Sequence, residues 1–286
     1  MLHFVVNPNA KNINHILDAI KVRMQEEGIE YGIHAGASKE ETRLITAQLT
    51  QSPATIVAVG GDGTLNDVLS GITMPETTVL GLIPVGTGND FAATAGIPEG
   101  LPALELILSG EPKFTDYLEC GGGLRSMNVA GLGIDVDTLE RTYRMKRGSK
   151  KGKYLRGLIG ALFSFRGQEI EVTENGETYT INAYIAAACN GRQFGGGLRI
   201  CPPAELGDGK FDLVVVETPK FWKLPKLLIK LLRGKILEEP IARHVLCEEA
   251  RIRQLAGKYV QLDGELVASE TLNVKIVSGK LRMFRG

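Results

Sequence analysis

Cysteine is scarce in this chain, and its placement excludes the usual uses. Cys120, Cys189, Cys201 and Cys247 form no C-x-x-C pair and have no histidine at a ligand interval. Neither a disulfide framework nor a zinc site is indicated, and reduced thiols in a cytoplasmic protein fit best. Long apolar runs are also absent: nothing approaches the roughly 18 residues needed to span a bilayer, and no basic-plus-apolar export signal opens the sequence. Any membrane contact is therefore expected to be peripheral. Excess charge is missing too, with 33 basic against 33 acidic residues, so no global field draws the protein to nucleic acid and no such partner is expected. Two phosphate-binding signatures are absent as well. No G-x-x-x-x-G-K-S/T occurs, and Gly61-x-Gly63 is followed at the third position by Asn66, which leaves the dinucleotide fingerprint incomplete.

What is present is a run of glycines around one carboxylate, Val59-Gly60-Gly61-Asp62-Gly63-Thr64-Leu65-Asn66-Asp67. The preceding Thr55 to Val59 is short, apolar and β-branched, as a buried strand should be. The following Leu65, Val68, Leu69 and Ile72 fall at i, i+3, i+4 and i+7, one face of a helix. Glycines at such a junction let the backbone approach a ligand, and the unpaired N–H groups of the first helical turn favour an anion. A carboxylate beside phosphates is repulsive unless a cation lies between them, so Asp62 implies Mg²⁺. An ordinary tight strand-to-helix turn is the alternative that local sequence leaves open.

The 286 residues suffice for two domains, since single domains usually run about 100 to 200 residues. The first hundred residues alternate strand and helix signals, the pattern of a mostly parallel sheet covered by helices. Ile13, Ile16, Leu17, Ile20 and Met24 repeat at helical spacing until Gly28, and Ser38 with Glu41 makes a capping box for a helix carrying Leu44, Ile45 and Leu49. Strand ends at Asn7, Gly61 and Gly86 would line one crevice. Past about residue 115, strand-like segments joined by Gly-rich turns predict an antiparallel sandwich or barrel: Ile181 to Ala188, Phe211 to Val216, Arg251 to Arg253, Tyr259 to Leu262 and Leu272 to Val277. No repeat or low-complexity linker separates the halves, so a cleft between two domains, 1–117 with 279–286 and 118–278, is expected.

Local charge is less even than the total. Arg141, Arg144, Lys146, Arg147, Lys150, Lys151, Lys153, Arg156 and Arg166 form one basic run, and Lys220, Lys223, Lys226, Lys230, Arg233 and Lys235 form another. Interleaved apolar residues would let both ride on an anionic membrane surface; solvated helix faces are the plainer reading.

The turn from Gly60 to Asn66, followed by Pro84-Val85-Gly86-Thr87-Gly88-Asn89-Asp90-Phe91-Ala92, resembles the diacylglycerol kinase catalytic-domain family, which includes bacterial lipid kinases and sphingosine kinases. NAD kinases and phosphofructokinases share the first element, whereas the second is similar to the lipid kinases alone. The likeness continues through Asn128 to Asp135, Cys189 to Gly197, Leu206 to Asp212 and Gln261 to Glu265, in the family's order. It implies ATP-dependent phosphorylation of a membrane lipid hydroxyl, diacylglycerol first and sphingoid or other lipid alcohols behind it. By that resemblance Asn7, Pro8, Asn9, Gly61, Asp62, Gly63, Thr64, Leu65, Asn66, Asp67 and Thr87 hold ATP, and Glu265 is the general base with Asp263 beside it. Asp208, with the backbone carbonyls of Glu205 and Lys210, would bind a structural Mg²⁺. Asp135 and the Gly195 to Gly197 run read as architectural. Where relatives place a nucleotide-contacting Thr, this chain has His34-Ala35-Gly36-Ala37, so that contact is not carried over. An NAD kinase, or a catalytically silent protein that binds nucleotide and lipid, are the competing readings, and self-association into a homo-oligomer is left open.

Overall fold

The computed structural model describes residues 1–286, except for the side chains of Lys150 and Lys151. Residues Met1–Asp116, Leu206–Asp208 and Val277–Gly286 form one compact unit, and Tyr117–Glu205 with Gly209–Ile276 form the other.

The first unit runs β1 (Leu2–Val6), α1 (Ile13–Glu27), β2 (Tyr31–Ala35), α2 (Lys39–Leu49), β3 (Ala54–Gly60), α3 (Asp62–Gly71), β4 (Thr78–Pro84), α4 (Asp90–Ala95), α5 (Pro102–Ser109) and β5 (Lys113–Phe114). Its sheet has the order β2-β1-β3-β4, extended by the chain's last strand, Arg282–Met283, and then by β5. All pairings are parallel except that of β5. Phe4 and the run Ile56 to Val59 are fully buried, as strands covered on both faces require. Ile13, Ile16, Ile20 and Met24 form the buried stripe of α1, which stops at Gly28 with φ 63°, a left-handed conformation that glycine adopts without strain.

The capping box forms with one change: Ser38 Oγ accepts from Glu41 N, while Glu41 Oε2 accepts from Ala37 N at 2.7 Å. The expected apolar face of α2 is also corrected, because Leu44 is exposed and the buried residues are Thr42 and Thr46. Close packing against α3 is the reason. A Cβ on Gly71 would lie 2.5 Å from Arg43 O and 2.7 Å from Thr46 Cβ, so the two helices touch where a leucine has no room.

The second unit contains β6 (Tyr117–Glu119), β7 (Arg125–Ser126), β8 (Val129–Gly133), α6 (Ile134–Arg144), α7 (Lys150–Ser164), β9 (Gln168–Glu174), β10 (Glu177–Cys189), β11 (Phe211–Glu217), α8 (Leu224–Leu232), β12 (Ala242–Cys247), β13 (Glu249–Gln254), β14 (Tyr259–Leu262), β15 (Glu265–Ala268) and β16 (Thr271–Val277). These strands make one curled antiparallel sheet, the β-rich domain the sequence predicts. β10 changes partners along its length. Glu177 to Ala183 pairs with β9, and Ile185 to Cys189 lies between β8 and β11. Successive residues of that second half alternate between two cores. Ala186 and Ala188 join Phe211, Leu213 and Val215 on one face; Ile185, Ala187 and Cys189 join Val214, Val216, Leu224 and Leu227 on the other.

Candidate active site

In the first unit, the carboxyl ends of β1, β3 and β4 lie side by side. Asn7 N donates to Val59 O at 3.1 Å and Val85 N to Gly60 O at 2.8 Å. Gly61 and Gly86 then meet backbone to backbone: a Cβ on Gly86 would lie 2.6 Å from Gly61 Cα. Asp62 spans the same junction, its carboxylate accepting from Asp90 N at 3.2 Å and Phe91 N at 3.1 Å. Two amide dipoles thus offset its charge. The left-handed Asn89, φ 52°, closes the second turn by accepting from Gly86 N at 3.0 Å.

The residues expected to hold ATP divide by where their side chains go. Pro8, Asn9 and Thr87 are exposed, and Gly61, Asp62 and Gly63 are half-buried at the turn. Asn7 Nδ2 donates to Thr64 Oγ1 at 3.4 Å, which joins the β1 end to α3. Leu65 is a core residue, Asn66 is buried, and Asp67 pairs with Arg43 of α2 at 2.9 Å. Leu65 and Asp67 therefore shape the turn through packing and an ion pair.

In the second unit, Asp263 (φ 49°) and Gly264 (φ 85°) form the two-residue loop between β14 and β15, with Leu262 paired to Glu265. Two consecutive positive φ values are what such a hairpin requires. The Asp263 carboxylate is a hub. It accepts from Ser126 Oγ at 2.6 Å, Met127 N at 2.7 Å, and Asn128 N and Val129 N at 3.0 Å each. Asn190 extends this lattice, donating to Met127 O at 2.7 Å. Asp263 thus holds the loop before β8 against the hairpin that carries Glu265. Glu265 is half-buried at the start of β15. Beside it, the Tyr143 hydroxyl donates to Gly264 O at 3.2 Å; burial, and next the Glu265 charge, push that phenol's pKa up.

An apolar cavity of about 70 Å³ lies between the sheet and helices α6, α7 and α8, lined by Tyr154, Leu158, Phe194, Leu227 and Leu231 among others. A single carboxyl, Asp135, reaches its wall. Burial pushes the Asp135 pKa up to about 6, opposed by hydrogen bonds from Val136 N and Gln261. Gly195 admits the Tyr154 ring, since a Cβ there would lie 2.2 Å from its hydroxyl. The sequence reading gave Asp135 an architectural role and did not single out Tyr143, whose neighbour Gly264 is more than 120 residues away in the chain.

Residues 1–120 match the diacylglycerol kinase catalytic domain, and residues 128–285 match the YegS C-terminal NAD kinase beta sandwich-like domain. The chain belongs to the YegS-type lipid kinases of the diacylglycerol kinase catalytic-domain family. It is 27% identical over 289 residues to a Salmonella arizonae protein named "Probable lipid kinase YegS", covering 97% of this chain and 93% of that one. A crystal structure of a diacylglycerol kinase from Bacillus anthracis superposes with a TM-score of 0.82 at 23% identity, covering 100% of this chain and 96% of that one. An Archaeoglobus fulgidus NAD kinase in complex with ATP is a more distant neighbour in fold, with a TM-score of 0.55 and 15% identity over 100% of this chain and 94% of that one. Kinase-family membership implies ATP use.

Of the residues the lipid-kinase resemblance assigns to Mg²⁺, Asp208 is counted with the first unit and Glu205 and Lys210 with the second, all three exposed. Among the described residues no helix is long and apolar enough to cross a membrane.

Two substitutions separate these roles. Asp263→Ala leaves four donors without their acceptor and is expected to cost about 3 kcal/mol or more in urea unfolding; a carboxylate that served catalysis alone would leave stability unchanged. Asp135 holds its proton more tightly when folded than the ordinary value of 3.8, so its contribution falls as pH rises from about 4 to 6 and is a full penalty above that. Asp135→Asn should therefore stabilise the protein by about 3 kcal/mol at pH 7.5 and by about 1 kcal/mol at pH 4.5, measured as the difference between two urea titrations.

Proposed function

We propose that this lipid kinase transfers the γ-phosphoryl group of ATP to the hydroxyl of diacylglycerol, giving phosphatidate. The observation that carries the reading is the contact between Gly61 and Gly86, which leaves bare backbone beside the first turn of α3. A phosphate chain needs such a surface, because N–H groups and the helix terminus can face it with no side chain between. Asn7, Pro8, Asn9, the turn from Gly61 to Asp67 and Thr87 would hold ATP, some through backbone alone. Carboxylate and carbonyl oxygens suit a hard cation, so Asp62 fits a Mg²⁺ carried with ATP, and Asp208 with the carbonyls of Glu205 and Lys210 fits a structural one. When bound, Mg²⁺ neutralises charge on the phosphate oxygens.

Glu265 is the base in this reading. It takes the proton of the acceptor hydroxyl as that oxygen bonds to the γ-phosphorus, and the bond to the bridging oxygen breaks to leave ADP. Asp263 fixes the hairpin that aims Glu265. The apolar cavity, with Asp135 at its wall, has the lining an acyl chain needs, and at about 70 Å³ it would have to widen to admit one.

Access to a lipid would come through a face of the second unit. Leu155, Ile159 and Phe163 form an exposed stripe on α7, and Phe221, Trp222, Ile229 and Leu232 are exposed in and before α8. The Phe163 and Phe221 rings lie 6.0 Å apart, which joins the two sets. Lys153, Arg156, Lys220 and Lys223 stand among them, an apolar face with a basic rim that suits an anionic membrane surface. The basic run also includes Lys150 and Lys151, whose side chains lie outside the described residues.

Glu265→Gln should retain folding and ATP binding while turnover with Mg-ATP and dispersed diacylglycerol falls about 100-fold or more; unchanged turnover removes Glu265 from the mechanism. Trp222→Ala combined with Phe163→Ser should reduce sedimentation with phosphatidylglycerol vesicles roughly tenfold, and binding indifferent to both changes would discard the membrane face.

A further inference from the structure

We propose that Cys201, Asp212 and His244 form a binding site for one borderline-soft divalent cation of the zinc class, separate from the phosphoryl-transfer site. The three residues are far apart in sequence, and no interval between them matches a zinc motif. The fold of the second unit brings one ligand atom from each within 4.8 Å of the others. His244 Nε2 is 2.5 Å from Asp212 Oδ1 and 4.0 Å from Cys201 Sγ. Asp212 and His244 come from the neighbouring strands β11 and β12, and Cys201 from the segment between β10 and β11.

The arrangement does not suit nucleophilic catalysis. A Cys-His-Asp triad needs the thiol and the carboxylate on opposite ring nitrogens, and here both face Nε2. Cys201 is also fully buried, out of reach of a substrate. Convergence of sulfur, nitrogen and oxygen on one point is instead what a tetrahedral cation uses, with Zn–S about 2.3 Å and Zn–N about 2.0–2.1 Å. Those lengths put ligand atoms about 3.3–3.7 Å apart in a tetrahedron, so a small rotation of His244 away from Asp212 opens the site. The donor set selects against Mg²⁺, which prefers oxygen alone.

Charge and access agree. A divalent cation at this point would bind the Cys201 sulfur as thiolate beside the Asp212 carboxylate and offset both charges, with the exposed His244 ring as the third ligand. The Asp212 side chain is 5% exposed and the His244 side chain 31%, which gives a closed interior with one open side. Cys189, next to Cys201 and opposite Asp212 across the β10–β11 pairing, lies outside this group of three, so a water would complete a tetrahedral set.

The test uses the full chain, stripped of metal with a chelator and titrated with Co(II). One equivalent should bind with thiolate-to-metal charge-transfer absorption, and Zn(II) should displace it. Cys201→Ser should abolish the absorption and Cys120→Ser should leave it intact. Because a buried Cys201 variant can fail to fold, His244→Gln on the open side carries the argument independently. It should weaken Co(II) binding by more than the roughly 10–100-fold that loss of an outer-shell partner costs. Absence of thiolate absorption at one equivalent, or unchanged affinity in His244→Gln, overturns the site and leaves an ordinary His–Asp pair beside two buried thiols.

Discussion

The ends of β3 and β4 meet with no side chain between them, and the first unit is organised around that contact. A single methyl on Gly86 would stand 2.6 Å from the Gly61 backbone, so both positions are restricted to glycine by contact with main chain, which has little room to yield. The left-handed Asn89 and the Asp62 carboxylate then tie the second turn to the first. Asp62 thereby does structural work before any ligand arrives. It fixes where the first turns of α3 and α4 begin, and with them the direction of their N–H groups.

A second carboxylate has the same character in the other unit. Asp263 gathers four donors from Ser126 to Val129 and sets the hairpin that presents Glu265. Both acids sit in turns that sequence marks by glycine, and both are engaged by backbone N–H. A strand end is rich in unpaired amides, and a half-buried carboxylate accepts several of them at once, so the local geometry is held by charge-assisted bonds.

Much of the fold was legible because it rests on periodicity and turn chemistry. The stripe of α1, the strands of the second unit and the Asp-Gly hairpin each follow from a local rule. What was hidden depends on contacts distant in sequence. The threonine face of α2 is set by Gly71 and Arg43, which periodicity cannot report. Asp263 reads as a partner of Glu265 until its donors, more than 130 residues earlier in the chain, are seen. Likewise Cys201 and His244, 43 residues apart, carry no motif that spacing could reveal. The family motifs made Glu265 and the glycine turns visible, but not which of their neighbours serve only to hold them in place.

The central claim is that a lipid alcohol accepts the phosphoryl group. It is tested most directly by giving the protein γ-labelled Mg-ATP with a total lipid extract and NAD together, then separating the phases and identifying labelled products by mass spectrometry. The account predicts label in an organic-phase phosphatidate and none in NADP. Label in NADP alone, or ATP and lipid bound without any labelled product, would contradict it.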